Sequence, residues 1–319
     1  MPNYSGIWSL SQQFQAVGQG LWPPNFVPDG TFGIFALGNT AGGVVTTRNK
    51  YTYSGCAVSG ATAATVASAG GSAAGNTTVG IFALGFTSGF SRLTTRNKYT
   101  YSGCVVSAGA AASSPSTYGS AAGNSTCGVF ALGFINAATA TRESYNYAGC
   151  VASSATNATA ASYSGAAAGN STVGIFALGT AGATRVTTRD KYTYSSNAVT
   201  AGGAATAATS CGSATGNSTF GIFALGTPCG CASVTTRNKY TYSGDVVSAG
   251  GAATVASKQG SAAGNSAVGI FALGCVGGLP TTTRNKYTYS GDVVSGGGSA
   301  TTASYTGSAA ANGAIGVNT

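Results

Sequence analysis

The residues with the most evident chemical capacity are basic, and they recur at a fixed interval. Arg48, Arg96, Arg142, Arg189, Arg237 and Arg284 occupy equivalent places in a repeated string, as do Lys50, Lys98, Lys191, Lys239 and Lys286. Set around a ring, they would form a belt of positive charge able to attract phosphorylated polysaccharide, lipopolysaccharide or nucleic acid. The competing expectation is packing, with long stems between neighbouring units and charged heads reaching water. Presence in every copy favours packing, because duplication copies a structural solution wholesale. Nucleic acid is therefore not favoured as a partner.

Catalytic chemistry has less to work with. The chain has no histidine and only 5 Asp plus Glu in 319 residues. Most hydrolytic triads, histidine metal sites and carboxylate pairs are out of reach. No repeat or loop supplies a base, a nucleophile and an orienting partner together. A non-enzyme with no catalytic residue, no cofactor and no metal is expected. Asp245 and Asp292 fall in matching turns of successive repeats, too far apart to work as a pair, and read as turn formers. Cys56, Cys104 and Cys150 share one repeat position, where other copies carry Ile7, Asn197, Asp245 and Asp292. Equivalent positions in adjacent repeats lie beyond disulfide reach, so free thiols are expected. A contact between Cys229 and Cys275, in neighbouring loops, is the one bridge worth checking.

Composition bounds the rest. Glycine accounts for 51 residues, charged residues for only 6%, and the net charge is +9. At 43% hydrophobic and 10% aromatic the chain can build a core, which argues against disorder. Glycine has no three-residue period, which excludes collagen. The opening Met1 to Trp8 lacks the basic stretch and apolar run of a secretory signal. No apolar run reaches the ~18 residues of a membrane span. Synthesis in the cytosol, without a signal peptide and without membrane insertion, is expected.

Two repeated strings set the architecture. GIFALG or its variant begins at Gly33, Gly80, Gly128, Gly174, Gly221 and Gly269, 46 to 48 residues apart. TTRNKYTYSG or its variant ends at Gly55, Gly103, Gly149, Ser196, Gly244 and Gly291. The chain ends carry partial copies: Ser308–Thr319 aligns on Ser261–Ala272, placing Gly316 where another GIFALG would start, and Asn3–Leu10 aligns on Thr241–Ser248. One repeat thus looks split between the termini.

Each repeat reads as four short strands: Ser261–Gly264, a tight Gly264-Asn265 turn, Val268–Leu273, Thr282–Tyr289 and Asp292–Ser295. Four strands per ~47 residues predict an all-β, seven-bladed β-propeller. Inner strands from the C-terminus and outer strands from the N-terminus would close its last blade and hide the edges. A parallel β-helix is the alternative, but ~47 residues with hairpin turns is long for one coil. The expected single domain spans 1–319, with 1–30 as N-terminal strands and an irregular joint, 31–307 as six repeats, and 308–319 as closing strands. The joint holds Trp8, Trp22, Phe14, Pro23, Pro24 and Pro28, and caps the last blade or docks a partner.

Function is expected where the copies disagree. The connections between the second and third strands vary while their flanks do not, and all should emerge on one face. Phe86, Phe90, Arg92, Phe134, Ile135 and Arg185 give that face apolar and cationic contacts and are the candidate binding residues. The paired tyrosines (Tyr51/Tyr53, Tyr99/Tyr101, Tyr240/Tyr242) could stack on sugars, but a repeated strand position favours packing between blades.

The aromatic strand ending in glycine and the Tyr-bearing third strand resemble kelch-like repeats. The usual double glycine is reduced to one, as in Leu37-Gly38, Leu178-Gly179 and Leu273-Gly274, and the late tryptophan is absent. With the opening Asn3-Tyr4-Ser5-Gly6-Ile7-Trp8-Ser9-Leu10, then Gln12-Gln13-Phe14-Gln15 and Trp22-Pro23-Pro24, the whole chain resembles kelch-like propeller proteins of tailed bacteriophages. That resemblance implies a structural virion component, a tail fibre or adhesin-type head. Its partners would be other virion proteins and a host-surface glycan or lipopolysaccharide. The alternative is a cellular propeller lectin with sugar pockets between blades.

Overall fold

The structure, a computed structural model, describes residues 30–228 and 232–313. The described residues form an all-β architecture of six four-stranded antiparallel sheets. The second sheet shows the common plan, with Ser72–Gly75, Val79–Ala83, Arg96–Thr100 and Val105–Gly109 side by side. Four more follow in the same order from Ser120–Gly123, Ala166–Gly169, Ser213–Gly216 and Ser261–Gly264.

The first sheet is assembled from both ends of the described chain. Its Phe32–Ala36, Arg48–Thr52 and Ala57–Ala61 are consecutive, but its innermost strand is Ser308–Ala311, pairing Ala36 with Ser308 and Ile34 with Ala310. Of the expected strands the first keeps its bounds, the second and third are shorter (Val268–Ala272 and Arg284–Thr288), and the fourth is shifted by one residue to Val293–Gly296; the Gly-Asn turn holds three residues between Gly264 and Val268 rather than two.

The ring closes after six sheets, where seven were expected. Just before each innermost strand, one backbone N–H donates to the equivalent carbonyl of the neighbouring sheet. Tyr118 donates to Gly70, Ser164 to Tyr118, Cys211 to Ser164, Gln259 to Cys211, Thr306 to Gln259 and Gly70 to Thr306, at 2.7–2.9 Å. A cycle of six bonds that returns to its start leaves no place for a seventh sheet. The sixfold cycle also explains why the terminal repeat misled. Asn312 Oδ1 accepts from the Phe32 N–H at 2.9 Å, as Asn76 Oδ1 accepts from Val79 at 3.0 Å. Phe32–Ala36 therefore occupies the second-strand place that the residues after Asn312 would have needed. The N-terminal strands and joint expected in 1–29, and Gly316, lie outside the described residues.

Each repeated string has a packing cause. The second strand is buried on both faces, with Ile34, Ile81, Ile175, Ile222 and Ile270 fully enclosed. Its leading glycine lies beneath the second tyrosine of the third strand of the same sheet. A Cβ there would meet that Tyr hydroxyl at 2.7–3.0 Å, so Gly80 and Tyr101 fix one another, as do Gly269 and Tyr289. The glycine opening each innermost segment is equally constrained. A Cβ on Gly71 would stand 2.0 Å from the Ala83 carbonyl oxygen. On the axis only small residues fit, and Ala73, Ala74, Ala121, Ala122, Ala262 and Ala263 are fully buried.

The tyrosines are core residues, as expected. Tyr51, Tyr99, Tyr145, Tyr240 and Tyr287 have no exposed surface. Burial raises the phenol pKa of Tyr51, Tyr99, Tyr145, Tyr240 and Tyr287, and of their partners Tyr101, Tyr147, Tyr242 and Tyr289, above the usual 10.0. A folded-state pKa above the unfolded one gives stability that is complete below pH 10 and lost as pH rises beyond it. In an ultraviolet titration most tyrosines should therefore stay un-ionised until the chain unfolds in one alkaline step. Gradual ionisation centred near pH 10, with the fold intact, would contradict this burial.

Candidate functional site

The repeated arginines form an internal belt. Their side chains are at most 1% exposed, so the heads do not reach water as the packing expectation supposed. Each guanidinium lies over the second-strand phenylalanine of the next sheet. Arg48 stands 4.6 Å from the Phe82 centroid, Arg96 4.7 Å from Phe130, and Arg284, across the closure, 4.7 Å from Phe35. The same guanidinium donates to the residue after the next arginine, Arg48 to Asn97, Arg189 to Asn238, Arg237 to Asn285 and Arg284 to Asn49, at 3.1–3.2 Å. In the other two positions the acceptor is charged, Glu143 for Arg96 and Asp190 for Arg142. Burial lowers the pKa of Arg48, Arg189, Arg237 and Arg284 to about 10, which leaves them cationic at neutral pH and held by the ring face and amide oxygen. This belt is structural and unavailable to a ligand.

The lysines sit nearer the surface. Lys191 and Lys239 pair with Asp245 and Asp292 of the next sheet at 3.0 and 2.9 Å. Those aspartates are turn residues in the left-handed region, φ +56° and +55°, as are Cys56, Cys104, Cys150 and Asn197 at the equivalent positions. The described cysteines Cys56, Cys104, Cys127, Cys150, Cys211 and Cys275 are unbridged. Cys229 and Cys231 fall outside the described residues, and with them the contact expected between Cys229 and Cys275.

Clefts between the sheets are too small for sugar. Four of them measure about 10–20 Å³ each, room for about one water. A wider cavity, about 50 Å³, opens on the axis at the loop end and is rimmed by Gly70, Tyr118, Ser164, Cys211, Gln259 and Thr306. Each of these residues has φ between +51° and +67°, which turns the backbone into the hydrogen-bonded cycle.

Four of the six expected binding residues come together beside that opening, on the second and third sheets. Phe86 is buried and stacks on Phe90, with centroids 5.5 Å apart and planes 17° from parallel. Phe90 is 76% exposed. Arg92 is joined to Phe86 by a backbone bridge, and its guanidinium lies 5.0 Å from the Phe134 centroid. Ile135 follows in the turn after Phe134 and is half-buried. Arg185 is not part of this cluster; its Nε donates to Ser210 Oγ at 2.9 Å, between the small loop hairpins beside the fourth and fifth sheets.

Tyr118 and Tyr163 complete the cluster and were not anticipated. Tyr118 packs on Phe86 at 5.6 Å while lining the axial opening, and Tyr163 meets Phe134 edge-on at 5.4 Å. Both lie in segments that read as small-residue linkers. Their signal was available, because the same two columns hold Ala69-Gly70, Ser210-Cys211, Lys258-Gln259 and Tyr305-Thr306 in other copies, varying as the loops do.

Charge divides this face from the rest of the molecule. Arg92, Arg185 and Lys258 lie on it, and none of the four described carboxylates does. Glu143 and Asp190 are buried in the belt, while Asp245 and Asp292 occupy turns at the opposite ends of their sheets. The face can thus stack rings and bind anions. Among the described residues no group of three or more Cys, Asp or Glu could hold a metal ion, and no helix is long and apolar enough to cross a membrane. No protein-family model matches the chain, and no curated protein is significantly similar to it.

Proposed function

We propose that this chain is a six-bladed β-propeller that works without catalysis, as a structural and host-surface-binding part of a bacteriophage virion, in a tail fibre or adhesin. The observation that carries the binding half is the one-sided cluster of Phe86, Phe90, Arg92, Tyr118, Phe134 and Tyr163 on an otherwise repetitive frame. The internal belt and buried tyrosines account for the repeated residues, and the loops of this face, which carry no such packing duty, are free to vary. The virion half rests on the resemblance of the whole chain to kelch-like phage propellers. A lectin with equivalent pockets between blades is disfavoured by clefts of about 10–20 Å³.

Mass spectrometry of purified particles from the source of this sequence tests the virion half. A fixed copy number per particle is expected. Recovery only as a free chain in the unassembled fraction would contradict it.

A further inference from the structure

We infer that the loop face binds an acidic polysaccharide, a chain containing hexuronic acid residues, at one site per molecule. This rests on reading that face as a binding surface, and it adds the ligand class and the stoichiometry.

Three observations converge on this ligand. Phe90 presents an open ring: one face stacks on Phe86, and the side chain is 76% exposed. An aromatic face of this kind suits the apolar face of a pyranose. Phe90 also sits at φ +56°, a region that bulky side chains rarely adopt. Holding an exposed phenylalanine there does nothing for the core, which is consistent with a binding role. Arg92 supplies the charge. Its guanidinium carbon stands 5.0 Å from the Phe134 ring centroid, and no carboxylate pairs with it among the described residues. A guanidinium held over a ring keeps N–H donors that can take a carboxylate with two parallel hydrogen bonds.

The third observation is the absence of repulsion. With the described carboxylates buried or at the far end of the sheets, an anionic chain meets only positive charge, from Arg92 across to Arg185 and Lys258. Extension toward the axis brings it over Tyr118, which joins the cluster to the opening. The equivalent loops of the first, fourth and sixth sheets, Asn39–Val45, Thr180–Val186 and Cys275–Thr281, carry no aromatic residue. The stoichiometry should be one, although the frame is sixfold.

Calorimetric titration of the full chain with hexagalacturonate, and with its carboxyl-reduced neutral counterpart, tests this. One site is expected for the acidic oligomer, with affinity falling as salt rises from about 20 to 500 mM as an ion pair is screened. Arg92→Gln should weaken acidic binding about tenfold, corresponding to ~1.4 kcal/mol, and neutral binding by much less. Phe90→Ala should weaken both, and its exposure leaves the fold intact, checked by an unchanged melting curve. Leu279→Ala, 71% exposed on the sixth sheet, is the control and should bind normally.

Equal affinity of the native chain for acidic and neutral oligomers would overturn the ligand class while leaving a binding face. Failure to bind either oligomer at millimolar concentration would overturn the ligand class, and so would unchanged acidic binding in both Arg92→Gln and Phe90→Ala. Several equivalent sites would overturn the stoichiometry. Failure of the virion reading shows independently, in the particle composition.

Discussion

A chain ended at Gly307 is expected to lose its cooperative thermal transition altogether. The strand removed, Ser308–Ala311, is the innermost strand of the first sheet, and its four residues are at most 5% exposed. Ala309 and Ala311 pack with Phe35, Ala263 and Ile270, while Ala310 packs with Ile34, Ala73 and Phe82. One short strand therefore joins the sixth, first and second sheets. Its loss uncovers the inner edge of Phe32–Ala36, removes four residues of strand pairing at ~1 kcal/mol per hydrogen bond, and leaves Thr306, whose N–H and C=O both belong to the axial cycle, without the strand that anchors it. Against a typical net stability of ~5–15 kcal/mol, the ring should open. Differential scanning calorimetry should show no folded transition. A rearranged chain with residues 308–313 placed directly before Thr31 should recover it, since every other sheet makes that hairpin within one continuous segment. Normal melting of the truncated chain would show that the closing strand contributes little.

The second large effect concerns the one fully buried ion pair of the belt. Arg142 and Asp190 meet at 2.8 Å with both side chains 0% exposed. Asp190 Oδ2 also accepts from the Thr159 N–H, and Oδ1 from the Thr159 hydroxyl. Arg142→Met leaves that carboxylate buried without its cation, a change that costs about 3–5 kcal/mol. Asp190→Asn is expected to be far milder, within about 1 kcal/mol, because an Asn acceptor already serves Arg48, Arg189, Arg237 and Arg284. The double variant Arg142→Met with Asp190→Asn should recover most of what the single arginine loss removes. Urea denaturation of the three variants measures this directly. Equal destabilisation by Arg142→Met and Asp190→Asn would contradict a belt in which Asn and Asp are interchangeable acceptors.

Much of this architecture was legible in the sequence because it is written several times. The alternation of Tyr287 and Tyr289 against Arg284 and Lys286 placed the third strand, and the apolar run from Val268 placed the second. The number of sheets was not legible. A partial copy at Ser308–Thr319 aligns well whether or not its second half has a partner, and only the placement of Asn312 against Phe32 decides. Burial of the arginine heads was equally hidden. Local sequence shows that Arg48 lacks an acidic neighbour, but not that Phe82 and Asn97 of the next sheet close over it. At the loop face, Phe86, Phe90, Arg92 and Phe134 stood out against constant flanks. Tyr118 and Tyr163 come from a different stretch of each repeat, and three-dimensional closure alone brings the two stretches together.

Disulfide trapping reads the sixfold closure by the C-terminal strand without relying on stability. In a background with the native cysteines replaced by serine, Ala36→Cys and Ser308→Cys stand opposite one another in the pairing register, within the reach of a disulfide. Mild oxidation followed by mass analysis of proteolytic fragments should find this bridge within single chains. The offset pair Ala36→Cys and Ala310→Cys should stay reduced. A reduced first pair, in a chain that melts normally, would mean that Ser308–Ala311 belongs to another sheet and that the ring is not closed after six.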